Sequence, residues 1–204
     1  MDKLDYKKEY RQLYAAKSDQ PQLVEVPTLT YLMINGKGDP NTSQEYTDAI
    51  QTLYPAAYTI KFMCKKELDK DFSVMPLEGL WWTEDMSQFS TENKSNWQWT
   101  AMIMLPGFVT PELYERAMQQ LADKKKPASL DKLRLQSYTE GRAAQVLYIG
   151  PYSDEGPAIQ QLHDFIKQSG GSLDENNKHH HEIYLSDPRR ADPSKLKTII
   201  RQPF

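Results

Sequence analysis

Apolar positions along the chain recur with two periods, and the switches between them mark out the elements. Tyr46, Ala49, Ile50, Leu53, Ala57 and Tyr58 follow helical spacing and share one face. Thr42 and Glu45 form a capping box ahead of them. Pro55 inside that run predicts either a kink or a break into two segments. A second helix carries Leu113, Tyr114, Ala117, Met118 and Leu121 on its buried stripe, with Thr110 as N-cap and Pro111 in the first turn. A third carries Ile159, Leu162, Phe165 and Ile166, follows the acid-rich Ser153–Pro157 start and stops at Gly170-Gly171. Strand patterns cover 23–34, 72–83, 97–105, 133–138, 144–149 and 179–185. Pro27 argues for an edge position in the first of these. Leu4, Leu13 and Tyr14 suggest an N-terminal helix that Asp19-Gln20-Pro21 ends, and Asp192-Pro193-Ser194 opens a last short helix. The polar stretches Thr91–Asn96 and Asp174–Lys178 join strands.

The same order occurs twice. Tyr31–Gly36, a helix and Pro76–Trp82 are matched by Gln145–Gly150, a helix and His179–Leu185, and each copy ends on a strand bearing a glutamate, Glu78 or Glu182. The period is about 110 residues, too long for a solenoid repeat. The reading is therefore an α+β fold of tandem pseudo-two-fold βαββ modules, forming an antiparallel sheet with helices on one face and a central ligand cleft on the other. Residues 1–20 are a lead-in to one domain over 21–204, with halves at about 21–122 and 132–204 joined by a polar linker.

Composition narrows the function class. The formal net charge is −3 over 204 residues, and the basic residues are scattered, which argues against a nucleic-acid partner. The run Lys124–Lys126 follows a helix, where cations suit the negative end of the macrodipole. Cys64 is the single cysteine, so no internal disulfide can form, and its apolar neighbours Ile60, Phe62 and Met63 suggest a buried small hydrophobe. The N-terminus has no apolar signal segment, and no run approaches the ~20 apolar residues of a membrane span. The expectation is a cytoplasmic protein without a membrane partner, monomeric or weakly dimeric.

Four Trp and twelve Tyr exceed what a core alone asks for and suit the wall of a ligand pocket. A glutamate in an apolar, aromatic strand is costly to bury unless paired, although strand alternation also allows Glu182 and Glu78 to face solvent. Tyr184 lies two residues after Glu182 and so shares its sheet face. Tyr148 and Tyr152 flank the second Gly turn, where they either reach a cleft mouth or pack as strand aromatics. Trp81 and Trp82 must point to opposite faces, and Trp82 has the parity of Glu78, so it is the preferred ligand-stacking residue. Trp97 and Trp99 share one face, as core or as cleft lining. His179, His180 and His181 cannot converge on one ion while a regular strand alternates them, so no metal is expected; His181, beside Glu182, is a candidate to tune proton transfer. No catalytic triad, phosphate loop or dinucleotide fingerprint occurs.

The duplicated βαββ order, the Ile149-Gly150-Pro151-Tyr152 turn, the strand Glu182-Ile183-Tyr184 and the tail Leu196–Pro203 resemble the GyrI-like small-molecule-binding domain over about residues 20–204. The resemblance implies a ligand cleft whose glutamate corresponds to Glu182, a role played in drug-responsive transcription activators toward cationic aromatic drugs. No helix-turn-helix precedes the domain here, a departure from those activators. The Trp81-Trp82 pair is similar to that of stand-alone members that act as cyclopropanoid cyclohydrolases. That likeness implies a cofactor-free hydrolase that opens the strained cyclopropane of planar aromatic DNA-alkylating compounds, a detoxifying activity. Glu182 would be its general base, with a pKa raised by partial burial. Tyr184 or Tyr152 would donate to the substrate carbonyl. Glu78, Trp82, Trp81, Tyr148 and Trp99 would bind the hydrophobic aromatic ligand. The alternative is non-catalytic sequestration or sensing of hydrophobic cationic drugs by the same cleft.

Overall fold

The two longest strands, β2 (Gln22–Lys37) and β6 (Arg134–Ile149), organise the molecule because each is long enough to pair with two different neighbours. The computed structural model describes residues 3–18, 20–84, 93–173 and 179–204. The connections expected over Thr91–Glu92 and Asp174–Lys178, and the punctuation at Asp19, lie outside the described residues. β2 pairs through residues 22–33 with β6 and through 30–37 with β5 (Gln98–Leu105). β6 pairs through residues 143–149 with β8 (Lys197–Pro203). Between β5 and β8 lie β4 (Leu77–Trp82) and β7 (His180–Tyr184), which pair with each other. The result is an antiparallel barrel, closed in the order β2-β5-β4-β7-β8-β6.

This corrects the expectation of an open sheet with a cleft on its bare face. The C-terminal segment, which sequence left without a strand, is β8, and it seals the ring between β6 and β7. The two strands expected at 133–138 and 144–149 are one strand that bends at Gly141, where φ is +74°. Only a residue without a side chain takes that angle at no steric cost. Pro27 is accommodated because β2 pairs there with β6 alone, β5 joining from Thr30 onward. That stretch of β2 is locally an edge.

Helices cover the outer wall. α3 (Gln44–Glu67) lies against β2 and β5 with Ala49, Leu53, Ala56, Ala57 and Ile60 fully buried. It runs unbroken through Pro55, so neither a break nor a second segment occurs. Its N-cap is Ser43 rather than Thr42: the Ser43 hydroxyl accepts from the Tyr46 amide. Glu45 instead accepts from Lys132 Nζ at 2.8 Å. α4 (Pro111–Lys124) packs on α3 and starts where Thr110-Pro111 places it. α5 (Gly156–Gln168) seats Leu162 and Ile166 on Ala144, Val146 and Ile200 of β6 and β8. The N-terminal helix expected from Leu4, Leu13 and Tyr14 is two single turns, α1 (Tyr6–Glu9) and α2 (Arg11–Tyr14). They follow β1 (Lys3–Leu4), which pairs with β3 (Asp71–Phe72), where Lys61 bridges to Asp71. Among the described residues no helix is long and apolar enough to cross a membrane.

Candidate functional site

Cross-strand register decides which side chains meet. Gly79 lies opposite Glu182 and Trp81 opposite His180, whereas Glu78 lies opposite Ile183 and Leu80 opposite His181. Directly opposed residues share a face. Glu182, His180, Tyr184 and Trp81 therefore point to the helix-covered outer wall, while Glu78 and His181 point inward. Two polar clusters result, on opposite sides of the same pair of strands.

The inner cluster is a closed chain of charges. His181 holds two carboxylates, Glu78 at 2.9 Å from Nε2 and Glu140 at 2.8 Å from Nδ1. A ring that donates from both nitrogens is an imidazolium. Arg201 donates to Glu140 at 3.2 Å, to Gln145 at 3.0 Å and to the Leu13 carbonyl at 2.7 Å. Tyr14 donates to Glu78 at 2.8 Å. Two anions thus face two cations. Burial opposes ionisation of His181, but Glu140 and Glu78 outweigh it and raise the imidazole to about 9. Burial likewise opposes the Glu140 charge, but His181 and Arg201 hold its carboxyl down at about 2. Glu78 and His181 are 0 % exposed, so no ligand reaches them without opening the barrel.

The outer cluster is built on Glu182, which keeps 7 % exposure and so stays in contact with solvent. His180 Nε2 donates to its Oε1 at 3.0 Å, and the Tyr184 hydroxyl donates to its Oε2 at 2.6 Å. Trp81 Nε1 donates in turn to the Tyr184 oxygen at 3.1 Å. Gly79 permits this: a Cβ there would come within 2.6 Å of Trp81 Nε1, so the bare backbone makes room for the indole beside it. Gly36 does the same for Trp99, its partner across the β2–β5 pair. Tyr46, from the first turn of α3, packs on Trp81 (5.5 Å between centroids) and edge-on against Trp99 (5.0 Å). Tyr152 sets its ring edge-on to Tyr184 at 5.7 Å.

Glu155 completes the cluster. It is buried at the start of α5, facing Glu182. Burial and the neighbouring Glu182 charge push its carboxyl up to about 10, with Lys94 opposing them. For Glu182 the balance is reversed: burial works to raise it, but the hydrogen bonds from His180 and Tyr184 and the Lys94 charge leave it lowered. The expected rise at Glu182 is thus corrected. The pair carries one proton, on Glu155, and Glu182 is ionised at neutral pH.

Residues 19–203 match the model of the GyrI-like small molecule binding domain. The chain belongs to this family. Three structures of Listeria innocua proteins share its architecture. An uncharacterized conserved protein is 41 % identical with a TM-score of 0.88, over 98 % of this chain and 99 % of its own. A hydrolase encoded by lin2189 is 40 % identical with a TM-score of 0.87, over 99 % of both chains. A further hydrolase is 39 % identical with a TM-score of 0.84, over 98 % of this chain and 99 % of its own. The EcmrR C-terminal domain, 14 % identical with a TM-score of 0.54 over 90 % of this chain and 96 % of its own, shares the fold. No functionally curated protein matches the chain.

In this GyrI-like domain Glu182, Tyr184, Tyr152 and Trp81 come together, and Trp99 stands one ring behind them, fully buried against Tyr46. Glu78 does not join them. The expectation that both glutamates line one groove fails because β4 pairs with β7 one residue out of phase for it, and a one-residue offset reverses the face. The preference for Trp82 fails for the same reason: Trp82 stacks on His179 at 4.2 Å, and Trp81 is the indole beside Glu182. Tyr148 is also elsewhere, donating to the Pro151 carbonyl at 2.9 Å within the turn before α5. His180, rather than His181, is the imidazole on Glu182. Counting by two along β7 identifies it. Tyr46 and Glu155 were missed because each fits an ordinary helix pattern, one as a stripe residue and the other as an acid at a helix start. Among the described residues no group of three His, Cys, Asp or Glu side chains is placed to hold a metal ion. An open depression of about 590 Å³ over α5, lined by Pro157, Gln161, Asp164 and Phe165 among others, shares no residue with either cluster.

Proposed function

We propose that this GyrI-like protein is a cofactor-free hydrolase that opens the cyclopropane of planar, conjugated aromatic alkylating compounds, with Glu182 as general base. The observation that carries the reading is the ionised carboxylate of Glu182, fixed by two donors, walled by Trp81, Tyr46 and Tyr152, and still touching solvent. The two Listeria relatives described as hydrolases, close to 40 % identical over nearly full length, support an enzymatic role. The strand ring supports the tandem modules, since exchanging β2 with β6, β4 with β7 and β5 with β8 leaves its order unchanged.

In the proposed step, water attacks the ring methylene while one of its protons passes to Glu182. The bond from that methylene to the spiro carbon breaks, and its electron pair moves through the dienone to the carbonyl oxygen. The resulting phenolate takes up a proton, so the net change is addition of one water. A strained electrophile asks the protein mainly for placement and a positioned base. The Tyr184 hydroxyl already donates to Glu182 and accepts from Trp81, so it orients the base. Tyr152, whose hydroxyl makes no hydrogen bond among the described residues, is the donor for the substrate oxygen. Burial and the Glu182 charge push its phenol up to about 12, which keeps it protonated.

Purified protein mixed with a cyclopropanoid alkylator is expected to yield the water adduct by mass, with the rate falling at least 100-fold in Glu182→Gln. Tight binding with unchanged ligand mass would replace this reading with the second one, sequestration of a cationic aromatic compound. An anion among aromatic rings favours that alternative.

A further inference from the structure

Two buried oxygens beside Glu182 have no partner. Glu155 Oε1 and Thr198 Oγ1 make no hydrogen bond among the described residues, although Glu155 is 3 % exposed and Thr198 0 %. Their placement is set by separate elements. Thr198 lies on β8 directly opposite Tyr184, hence on the face of β7 that carries Glu182. Glu155 follows the turn that runs from Gly150 through Tyr152–Asp154, and it flanks both Glu182 and Thr198. Buried polar atoms are nearly always satisfied, because an unpaired one costs ~1–3 kcal/mol. Two such atoms flanking an ionised carboxylate with spare acceptor capacity make a polar niche with the valence that one water satisfies.

We propose that Glu155 and Thr198 hold the hydrolytic water against Glu182. The inference rests on the hydrolase reading and names the residues that place its nucleophile. The bonding closes without excess. Glu182 has about four acceptor sites, and His180 and Tyr184 occupy one on each oxygen. The arrangement puts the Glu155 proton on Oε2, toward Glu182, which leaves Oε1 as an acceptor. The water donates one hydrogen to Glu182 and the other to Glu155 Oε1. It accepts the Thr198 hydroxyl hydrogen and keeps one lone pair for the ring methylene. As that carbon–oxygen bond forms, the hydrogen on the Glu182 side transfers to the carboxylate, and the electron pair of the broken carbon–carbon bond moves to the substrate oxygen. Thr198 and Glu155 touch the water and not the aromatic rings, so they act on turnover and leave affinity for the flat ligand to Trp81, Tyr46 and Tyr152.

The test compares Thr198→Val, Thr198→Ser, Glu155→Gln and Glu182→Gln in the full chain. The alkylator is the substrate, and an analogue with its cyclopropane already opened is the binding probe, read by Trp fluorescence quenching. Thr198→Val is expected to lower turnover 10- to 100-fold with the probe Kd within twofold of wild type, and Thr198→Ser to restore at least half of the wild-type rate. Wild-type turnover in both Thr198→Val and Glu155→Gln, with Glu182→Gln inactive, would overturn the water-holding role and leave the hydrolase reading intact. An unchanged alkylator mass with the wild-type protein would instead remove the hydrolase reading, and wild-type turnover in Glu182→Gln would remove Glu182 as its base. A crystal structure fine enough to show ordered water decides the point without turnover. A water bonded to Glu155, Thr198 and Glu182 that is lost in Thr198→Val is expected, and a niche without it would overturn the proposal.

Discussion

Taking the protein from pH 6 to pH 10 should remove about 3 kcal/mol of stability through one imidazole. His181 is enclosed between Glu78 and Glu140, in a network that also contains Arg201 and Tyr14, and its pKa rises from 6.5 to about 9. A folded pKa above the unfolded one stabilises fully below the unfolded value, and that stability is lost as pH climbs through the folded one. At ~1.4 kcal/mol per pH unit, the interval between 6.5 and about 9 gives the figure quoted. Full burial means that solvent screening does not reduce it. The acid side has the opposite sign. Glu140 is lowered from 4.5 to about 2, so its contribution is present above 4.5 and disappears as pH falls toward 2. Both limbs draw on the same ion pairs and do not add at any one pH. Urea unfolding at half-unit pH steps should show greatest stability near 4.5, a first decline above it because only the unfolded chain releases the Glu155 proton there, and a steeper decline between 6.5 and 9 as His181 adds its share. Proton-detected titration of His181 in the folded protein checks the cause independently. A urea profile that does not steepen between pH 6.5 and 9, or an imidazole titrating near 6.5, would refute the claim that the barrel interior holds a charged histidine.

Three further outcomes follow from single contacts. Tyr14→Phe takes the phenol hydrogen from Glu78 inside the barrel and should cost ~1–3 kcal/mol in urea unfolding; a loss under 0.5 kcal/mol would mean Glu78 is satisfied without it. Gly36→Ala places a methyl against the Trp99 ring and should destabilise by ~1–3 kcal/mol with a shift in Trp fluorescence, whereas an unchanged melting temperature would show that the indole can move aside. The rate of water addition should be bell-shaped in pH: it falls in acid as Glu182 is protonated, below the usual carboxylate range, and falls again near 10 as Glu155 loses its proton. A single-limbed profile would show that Glu155 takes no part.

Local signals carried most of the elements and none of the closure. Thr110-Pro111 gives the start of α4 from chemistry alone, and the α3 stripe holds through Pro55 because Leu53, Ala56, Ala57 and Ile60 are packed on both sides of it. β8 was illegible as a strand because it is buried on both faces: Thr198 and Ile200 turn outward under α5, while Ile199 and Arg201 turn inward, so no alternation remains. Without β8 the ring stays open in any reading, and a cleft is expected where there is an interior. The site was half legible. Parity along β7 joins Glu182 to Tyr184 and, one step back, to His180. Parity between β4 and β7 cannot be read from either strand, and it separates Glu78 from Glu182. Glu155 and Thr198 reach the site by turns and pairing that no short pattern encodes.

The alternation that misled the reading also explains why one narrow pair of strands carries two unlike polar clusters. Each of β4 and β7 sends one set of residues inward and the next outward, so the strands that display Glu182 are anchored from behind by Glu78 and His181. Those inner charges are paired and sealed from solvent, which costs desolvation free energy and adds little net stability over an apolar core. What such a network supplies is definition, since each hydrogen bond is met at one strand register only. For the outer cluster, register sets whether His180 and Tyr184 can both reach the same carboxylate and whether Thr198 stands opposite Tyr184. A slip of one residue between β4 and β7 would expose Ile183 and bury Glu182 in its place. The inner cluster therefore acts as a lock on the alignment that makes the outer one a site.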